Sequence, residues 1–202
     1  EGGVLFTEPA VDIVGRRIIG PGHFDAWRSR VRDAPEFAGE LPVSVLREEI
    51  ETPGEGQVRA MVTMGGNPVL STPDGKSLAR AFEGLDFMVA VDIYLNETTR
   101  HADVILPPTT ALERDQYDLI FHSFAVRNTA RFVPAVFAKG KDQRHDWQIF
   151  GGLAARLQKR LGTKQSLKAR VVGKARMTAS PALVIWGLLR TGGKVSLRTL
   201  RD

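Results

Sequence analysis

Three short stretches of the chain carry residues with chemistry to offer. The first is MVTMGGNPVLSTPDG (61–75), where an apolar run stops at Gly65, Gly66, Asn67 and Pro68. Glycines let a ligand approach the backbone and leave N–H groups to face an anion such as a phosphate. The asparagine amide adds a donor and an acceptor. The same residues also suit a plain strand-to-loop turn, since the pattern is neither GxGxxG nor a Walker loop. The second is Asp92, which closes the run FMVAVD 27 residues after Gly65. An acidic residue at the end of the second strand of a nucleotide fold takes ribose hydroxyls, usually about 20 residues beyond the glycines. An N-cap or turn aspartate is the alternative. The third is LPPTTALERD (106–115), which brings Glu113, Arg114 and Asp115 together. Arg114 suits a phosphate or a purine edge; a solvated charge cluster is the plainer reading. Asp146, in the tripeptide HDW, reads first as a helix N-cap. Its two acceptor oxygens also suit the N–H groups of a guanine.

No bond-breaking set accompanies these residues. The chain has no cysteine, which excludes disulfides, iron–sulfur clusters and cysteine-bound zinc within it. His23, His101, His122 and His145 are scattered, without metal-ligand spacing. There is no nucleophile elbow and no serine–histidine pairing in sequence context. The candidate residues point to binding.

Hydrophobic periodicity supplies the elements that must position them. Phe24, Trp27 and Val31 at spacings of 3 and 4 predict a short amphipathic helix over 24–34. A second helix is expected over 42–51, with Pro42 in its first turn. TPGEGQ then breaks the chain. Apolar strands follow at 58–64, 86–92 and 103–107. A helix between the first two carries Leu78, Phe82 and Leu85 on one face, with Gly84 near its end. A short turn or helix, NETTRHA, lies between the second and third strands. This order predicts an α/β fold: a mostly parallel sheet flanked by helices, Rossmann-like and of the dinucleotide-binding type. Further strands are expected at 121–127 and 130–137, as a hairpin. A long helix is expected over 145–162, with Asp146 as N-cap and an apolar face of Phe150, Leu153, Ala154, Leu157 and Leu161. Arg156, Lys159 and Arg160 favour its C-terminal end, and Gly162 stops it. A short helix is expected near 181–190. The division that results is a lead-in (1–57), an α/β core (58–162) and a C-terminal extension (163–202).

Charge is unevenly spread. Residues 151–202 hold 12 Lys and Arg against the single acid Asp202, while 1–150 hold 16 basic and 22 acidic residues. The basic segment lacks the aromatic interleaving of a stacking surface. A solvated tail, or one docked on acidic parts of its own parent protein, is therefore expected, with no nucleic-acid partner; the alternatives are a stand-alone nucleotide-binding or regulatory domain and a nucleic-acid-binding module that uses this basic segment. The longest apolar run, PALVIWGLL (181–189), is too short to span a bilayer, and no export signal is visible. A cytoplasmic location is the expectation.

The run GGNPVLSTPDG…LARAFEGLDFMVAVDIYLNETTRHADVILPPTTALERD, followed by RHDWQIFGGLAARLQ, resembles the molybdopterin oxidoreductases of the dimethyl sulfoxide reductase superfamily, such as formate dehydrogenases and nitrate reductases. The likeness is strongest over 58–162, and SPALVIWGLLRTGG resembles the linker that some members carry before a final domain. The resemblance implies an internal domain of a large enzyme. That enzyme would hold molybdenum or tungsten on pterin dinucleotides, and this region would bind the guanine dinucleotide of one of them. Carried onto this chain, Gly65, Gly66 and Asn67 would form the binding turn. Asp92 would meet the ribose or guanine end with Asn96 beside it, Arg114 would follow the glutamate, and Asp146 would contact the base. After Asp115 the chain departs from the glycine and TFTN-like run of many relatives, which puts cofactor contacts from Gln116 to Asp118 in question. The implied partners are the remaining domains of the parent enzyme, with an iron–sulfur cluster elsewhere in it. The isolated chain is expected to be inactive.

Overall fold

The computed structural model describes residues 10–11, 22–125, 129–162, 180–192, 196 and 198–200. The chain divides into two compact units, one formed by Pro21–Pro108 and the other by Glu1–Gly20 with Thr109–Asp202.

In the Pro21–Pro108 unit, β3 (Ala60–Met64), β4 (Phe87–Val91) and β5 (Val104–Ile105) form a parallel sheet in the order β3-β4-β5. Ala60 is paired with Phe87, Met64 with Val91, and Val89 with Val104. The central strand is apolar and buried from Met88 to Val91, as a strand covered on both faces must be. α1 (Leu46–Glu51) precedes the sheet, while α2 (Pro68–Ser71) and α3 (Gly75–Phe82) form the crossover from β3 to β4. Ile50, Leu78, Ala81, Phe82 and Met88 make one core cluster. Removing Leu78 and Phe82 from water is worth about 2 kcal/mol each. The helical spacing of Leu78 and Phe82 thus does what the sequence pattern requires. Gly75 is tied to this packing: a Cβ there would lie 1.8 Å from the Val69 carbonyl oxygen.

The expected helix over 24–34 is not formed. β1 (Phe24–Arg28) and β2 (Pro35–Phe37) make an antiparallel pair instead. Asp25, Asp33 and Ala38 take left-handed φ values of 58°, 59° and 52°, which no α-helix accommodates. The fully buried Glu36 carboxylate accepts the Ala26 N–H at 2.9 Å and the Gly39 N–H at 3.0 Å, and pairs with His23. The aromatic residues whose spacing suggested a helix face lie outside, with Phe24 66% and Trp27 47% exposed.

In the other unit, β6 (Gln116–Tyr117) pairs antiparallel with β7 (Phe132–Val133). The strand expected at 121–127 is instead a 3-10 turn over Phe121–Phe124, started where Asp118 Oδ1 accepts the Phe121 N–H at 2.9 Å; residues 126–128 lie outside the described residues. The partner of β7 is therefore β6. Only two residues of the expected 130–137 strand pair. α4 (Asp146–Leu161) and α5 (Pro181–Gly192) have the expected places. Gly162, at φ 61°, ends α4 in the left-handed conformation that glycine tolerates. The apolar stripe of α4 is not a buried face: no residue of this helix is buried, and Leu157 and Leu161 are exposed. In α5, Ile185 and Leu189 pack with Ala10, Val11 and Phe132. Most of the 163–202 extension is outside the described residues. Among those described, no helix is long and apolar enough to cross a membrane.

Among the described residues the fold is thus α/β, with one three-stranded parallel sheet and two antiparallel strand pairs.

Candidate functional site

In the Pro21–Pro108 unit the candidate residues gather at the carboxyl ends of β3 and β4. Gly65 leaves β3 at φ 56°, with open space where a side chain would stand, and its N–H donates to the Val91 carbonyl at 3.0 Å. Its N–H is therefore used by the sheet. Among the described residues no acceptor meets the N–H groups of Gly66 and Asn67. These two are the groups the turn can offer to an anion.

The Asn67 side chain is committed within the protein. Its Oδ1 accepts the Thr98 hydroxyl at 2.7 Å, and its Nδ2 donates to Glu97 Oε2 at 2.6 Å. Thr98, fully buried, accepts the Val69 N–H at 3.1 Å in turn. The amide therefore fastens the β3 loop to the segment after β4. The donation from Asn67 holds the Glu97 carboxyl below the usual carboxylate range. Glu97 and Thr98, in the run NETT, are structural partners that the sequence pattern did not single out.

Asp92 is buried and closes a turn. Its Oδ1 accepts the Tyr94 N–H at 3.0 Å, and its Oδ2 accepts from Asn96 Nδ2 at 3.3 Å. Asn96 Oδ1 accepts the N–H groups of Thr98 and Thr99 at 3.0 and 2.9 Å. The structure thus brings Gly65, Gly66, Asn67, Asp92 and Asn96 to one sheet edge. There the side chains organise the loops, and the backbone N–H groups of Gly66 and Asn67 are left without an acceptor among the described residues.

In the other unit, Arg114 and Asp146 meet. Arg114 Nη1 donates to Asp146 Oδ2 at 2.6 Å, and Asp146 Oδ1 accepts the Trp147 N–H at 2.7 Å. Asp146 is therefore not the N-cap. His145 takes that position, and Asp146 is the first helical residue, where a negative charge suits the helix dipole. His145 Nδ1 lies 2.7 Å from the hydroxyl of Thr109, which is itself buried. The His145 and Trp147 rings stack with centroids 6.1 Å apart. Glu113 closes a capping box with Thr110 and accepts from Gln143 Nε2 at 2.9 Å. The Thr110 N–H first, then the Gln143 amide, hold its carboxyl below the usual range.

Glu113, Arg114, His145, Asp146 and Trp147 line a cleft of about 680 Å³, together with Lys139 and Ala182. That volume lies in the range of small-molecule sites. The donor set suits a nucleotide: a stacked aromatic pair, a carboxylate for N–H groups, and a guanidinium. The cleft also takes in Gln116, Tyr117 and Asp118, the residues whose cofactor contacts the family resemblance put in question.

The chain is similar in sequence to several known oxidoreductases. The assimilatory nitrate reductase catalytic subunit of Bacillus subtilis (strain 168) is 32% identical over 113 residues, covering 55% of this chain and 15% of that protein. The F420-dependent formate dehydrogenase subunit alpha of Methanocaldococcus jannaschii is 41% identical over 116 residues, covering 55% and 16%. The dimethyl sulfoxide/trimethylamine N-oxide reductase of Rhodobacter capsulatus is 27% identical over 139 residues, covering 62% and 16%. The chain thus spans only a small part of the length of these relatives. The sequence profile of the molybdopterin oxidoreductases matches residues 14–156, taking in Gly65, Asp92, Arg114 and Asp146 alike, and the chain belongs to that family.

Proposed function

We propose that this chain is the part of a longer molybdopterin-dependent oxidoreductase that binds the guanine dinucleotide portion of its cofactor. The observation that carries the reading is the Arg114–Asp146 pair at the mouth of helix α4, in a cleft of nucleotide size beside the stacked His145 and Trp147 rings. In this cleft Asp146 accepts from the base, and Arg114 meets an anionic or purine-edge group. In the Pro21–Pro108 unit, the Gly66 and Asn67 N–H groups meet phosphate oxygens after the left-handed turn at Gly65. Asp92 and Asn96 hold the loop that faces the ribose. The sheet that presents them is read as Rossmann-like, with ligands beyond its carboxyl edge. Residues 1–57 and 163–202 are read as a lead-in and an extension around the binding core.

The metal, molybdenum or tungsten, supplies the two-electron chemistry when the cofactor is bound. This chain contributes hydrogen bonds and position, so alone it is inactive. The rest of the parent protein provides the other cofactor contacts and an iron–sulfur cluster. The test is cofactor content of the full-length protein, read as guanine nucleotide released on denaturation. Asp146→Asn and a Gly66→Pro change, which removes an N–H, are each expected to lower it several-fold. Unchanged content in both variants would refute the assignment.

A further inference from the structure

Tyr117 lines the cleft, yet its hydroxyl is buried and meets no hydrogen-bond partner. Burial also pushes its pKa up, so it stays an O–H group. The nearby groups are spoken for. The His122 ring lies edge-on to it with centroids 5.2 Å apart, but His122 Nδ1 is engaged by the Thr129 hydroxyl and Nε2 accepts the Arg131 N–H. Asp115 accepts from Ala135, Asp118 from Phe121, and Asp146 from Arg114 and Trp147. A phenylalanine would fill the same space without an orphaned donor. Native proteins satisfy nearly all such groups, so a buried hydroxyl left alone calls for a second arrangement that pairs it.

We propose that Tyr117 is a positioning residue for the nucleotide, its hydroxyl donating to an oxygen of the guanine dinucleotide. The inference rests on the reading that this cleft takes that nucleotide. The hydroxyl is shielded in this structure, so the contact needs a small shift of the wall that carries it. That wall is β6, a two-residue strand paired with the equally short β7, and Tyr117 is only partly buried where it packs against the cluster of Ala10, Val11, Phe132, Ile185 and Leu189.

The test compares wild type, Tyr117→Phe and Asp146→Asn in the full-length protein. One reading is hydrogen exchange across Gln116–Tyr117 in cofactor-free protein. The other is the rate at which bound guanine nucleotide leaves the loaded protein. In Tyr117→Phe, exchange at β6 is expected to slow and release to quicken by roughly three- to tenfold, the worth of one hydrogen bond. Faster exchange at β6 in cofactor-free Tyr117→Phe would mean the hydroxyl is already satisfied and would overturn the proposal, as would an unchanged release rate. The wider reading fails differently: wild type would hold no guanine nucleotide, or Asp146→Asn would release it no faster.

Discussion

The Arg114 guanidinium reaches the Asp146 carboxylate at 2.6 Å across 32 residues of sequence, joining the segment before β6 to the first turn of α4. Both side chains keep contact with water, Arg114 at 40% and Asp146 at 30% exposure. Solvent screens such a pair, so its contribution to stability is small, about 0.2–1 kcal/mol. Its value lies in fixing where the carboxylate points. A double-mutant cycle of Arg114→Met and Asp146→Asn, followed by urea unfolding, is expected to give a coupling within that range. A coupling of several kcal/mol would show a desolvated structural bridge and weaken the case for a binding role.

Asn67 is expected to matter more for stability than a surface asparagine would. Replacing it by Ala removes the acceptor of the buried Thr98 hydroxyl and the donor to Glu97. Leaving the O–H of the buried Thr98 without an acceptor costs about 1–3 kcal/mol, and chemical denaturation reads that loss. Asn67→Asp is the sharper variant. It keeps an acceptor for Thr98 but sets a carboxylate against Glu97, where the wild-type contact is 2.6 Å. It is expected to be unstable at neutral pH and to recover relative to wild type as the pH falls into the carboxylate range. No recovery would mean that the loop has turned Glu97 away.

Asn67 also shows what was legible in the sequence and what was not. The apolar runs at 58–64 and 86–92 could be seen as strands because each element is satisfied by its own pattern. Their parallel pairing and the buried Leu78–Phe82 face follow from it. The residues of the sheet edge were also found, since they end those strands. The turn role of Asp92, which accepts the N–H two residues on, was open in the pattern; that of Asn67 was not, because its side chain is spent on a partner 31 residues away that no spacing rule marks. The first hairpin was misread for a similar reason. Phe24, Trp27 and Val31 have helical spacing, but the buried Glu36 and three left-handed residues decide the backbone there. Two-residue strands such as β6 are too short to carry any period.

Two glycines in the same crossover should respond differently to alanine. At Gly75 a Cβ would fall 1.8 Å from the Val69 carbonyl oxygen. Backbone must move, so Gly75→Ala is expected to cost upwards of about 3 kcal/mol or to block folding of the unit. At Gly65 the space is open and only the φ of 56° resists a side chain, a cost of about 1–2 kcal/mol. Thermal unfolding should therefore rank Gly65→Ala well above Gly75→Ala. If the bound nucleotide lies against Gly65, as proposed, Gly65→Ala should also lose cofactor out of proportion to its small loss of stability.

The stability of the first hairpin should depend on acid through Glu36. Burial raises the pKa of this carboxyl, but the N–H groups of Gly39 and Ala26, with His23, outweigh it and leave it below the ordinary value. The folded state therefore favours the ionised form. Its contribution is present above the pKa of an unfolded glutamate, about 4.3, and is lost as the pH falls from there through the folded value. Hydrogen exchange at Ala26 and Gly39, which donate to the carboxylate, is the measurement. Corrected for the intrinsic pH dependence of exchange, their protection should hold between pH 7 and 5 and decline below about 4. In Glu36→Gln the protection should be reduced at pH 7, and its difference from wild type should shrink in acid. A constant difference across that range would show that the carboxyl's charge is not what holds the two strands.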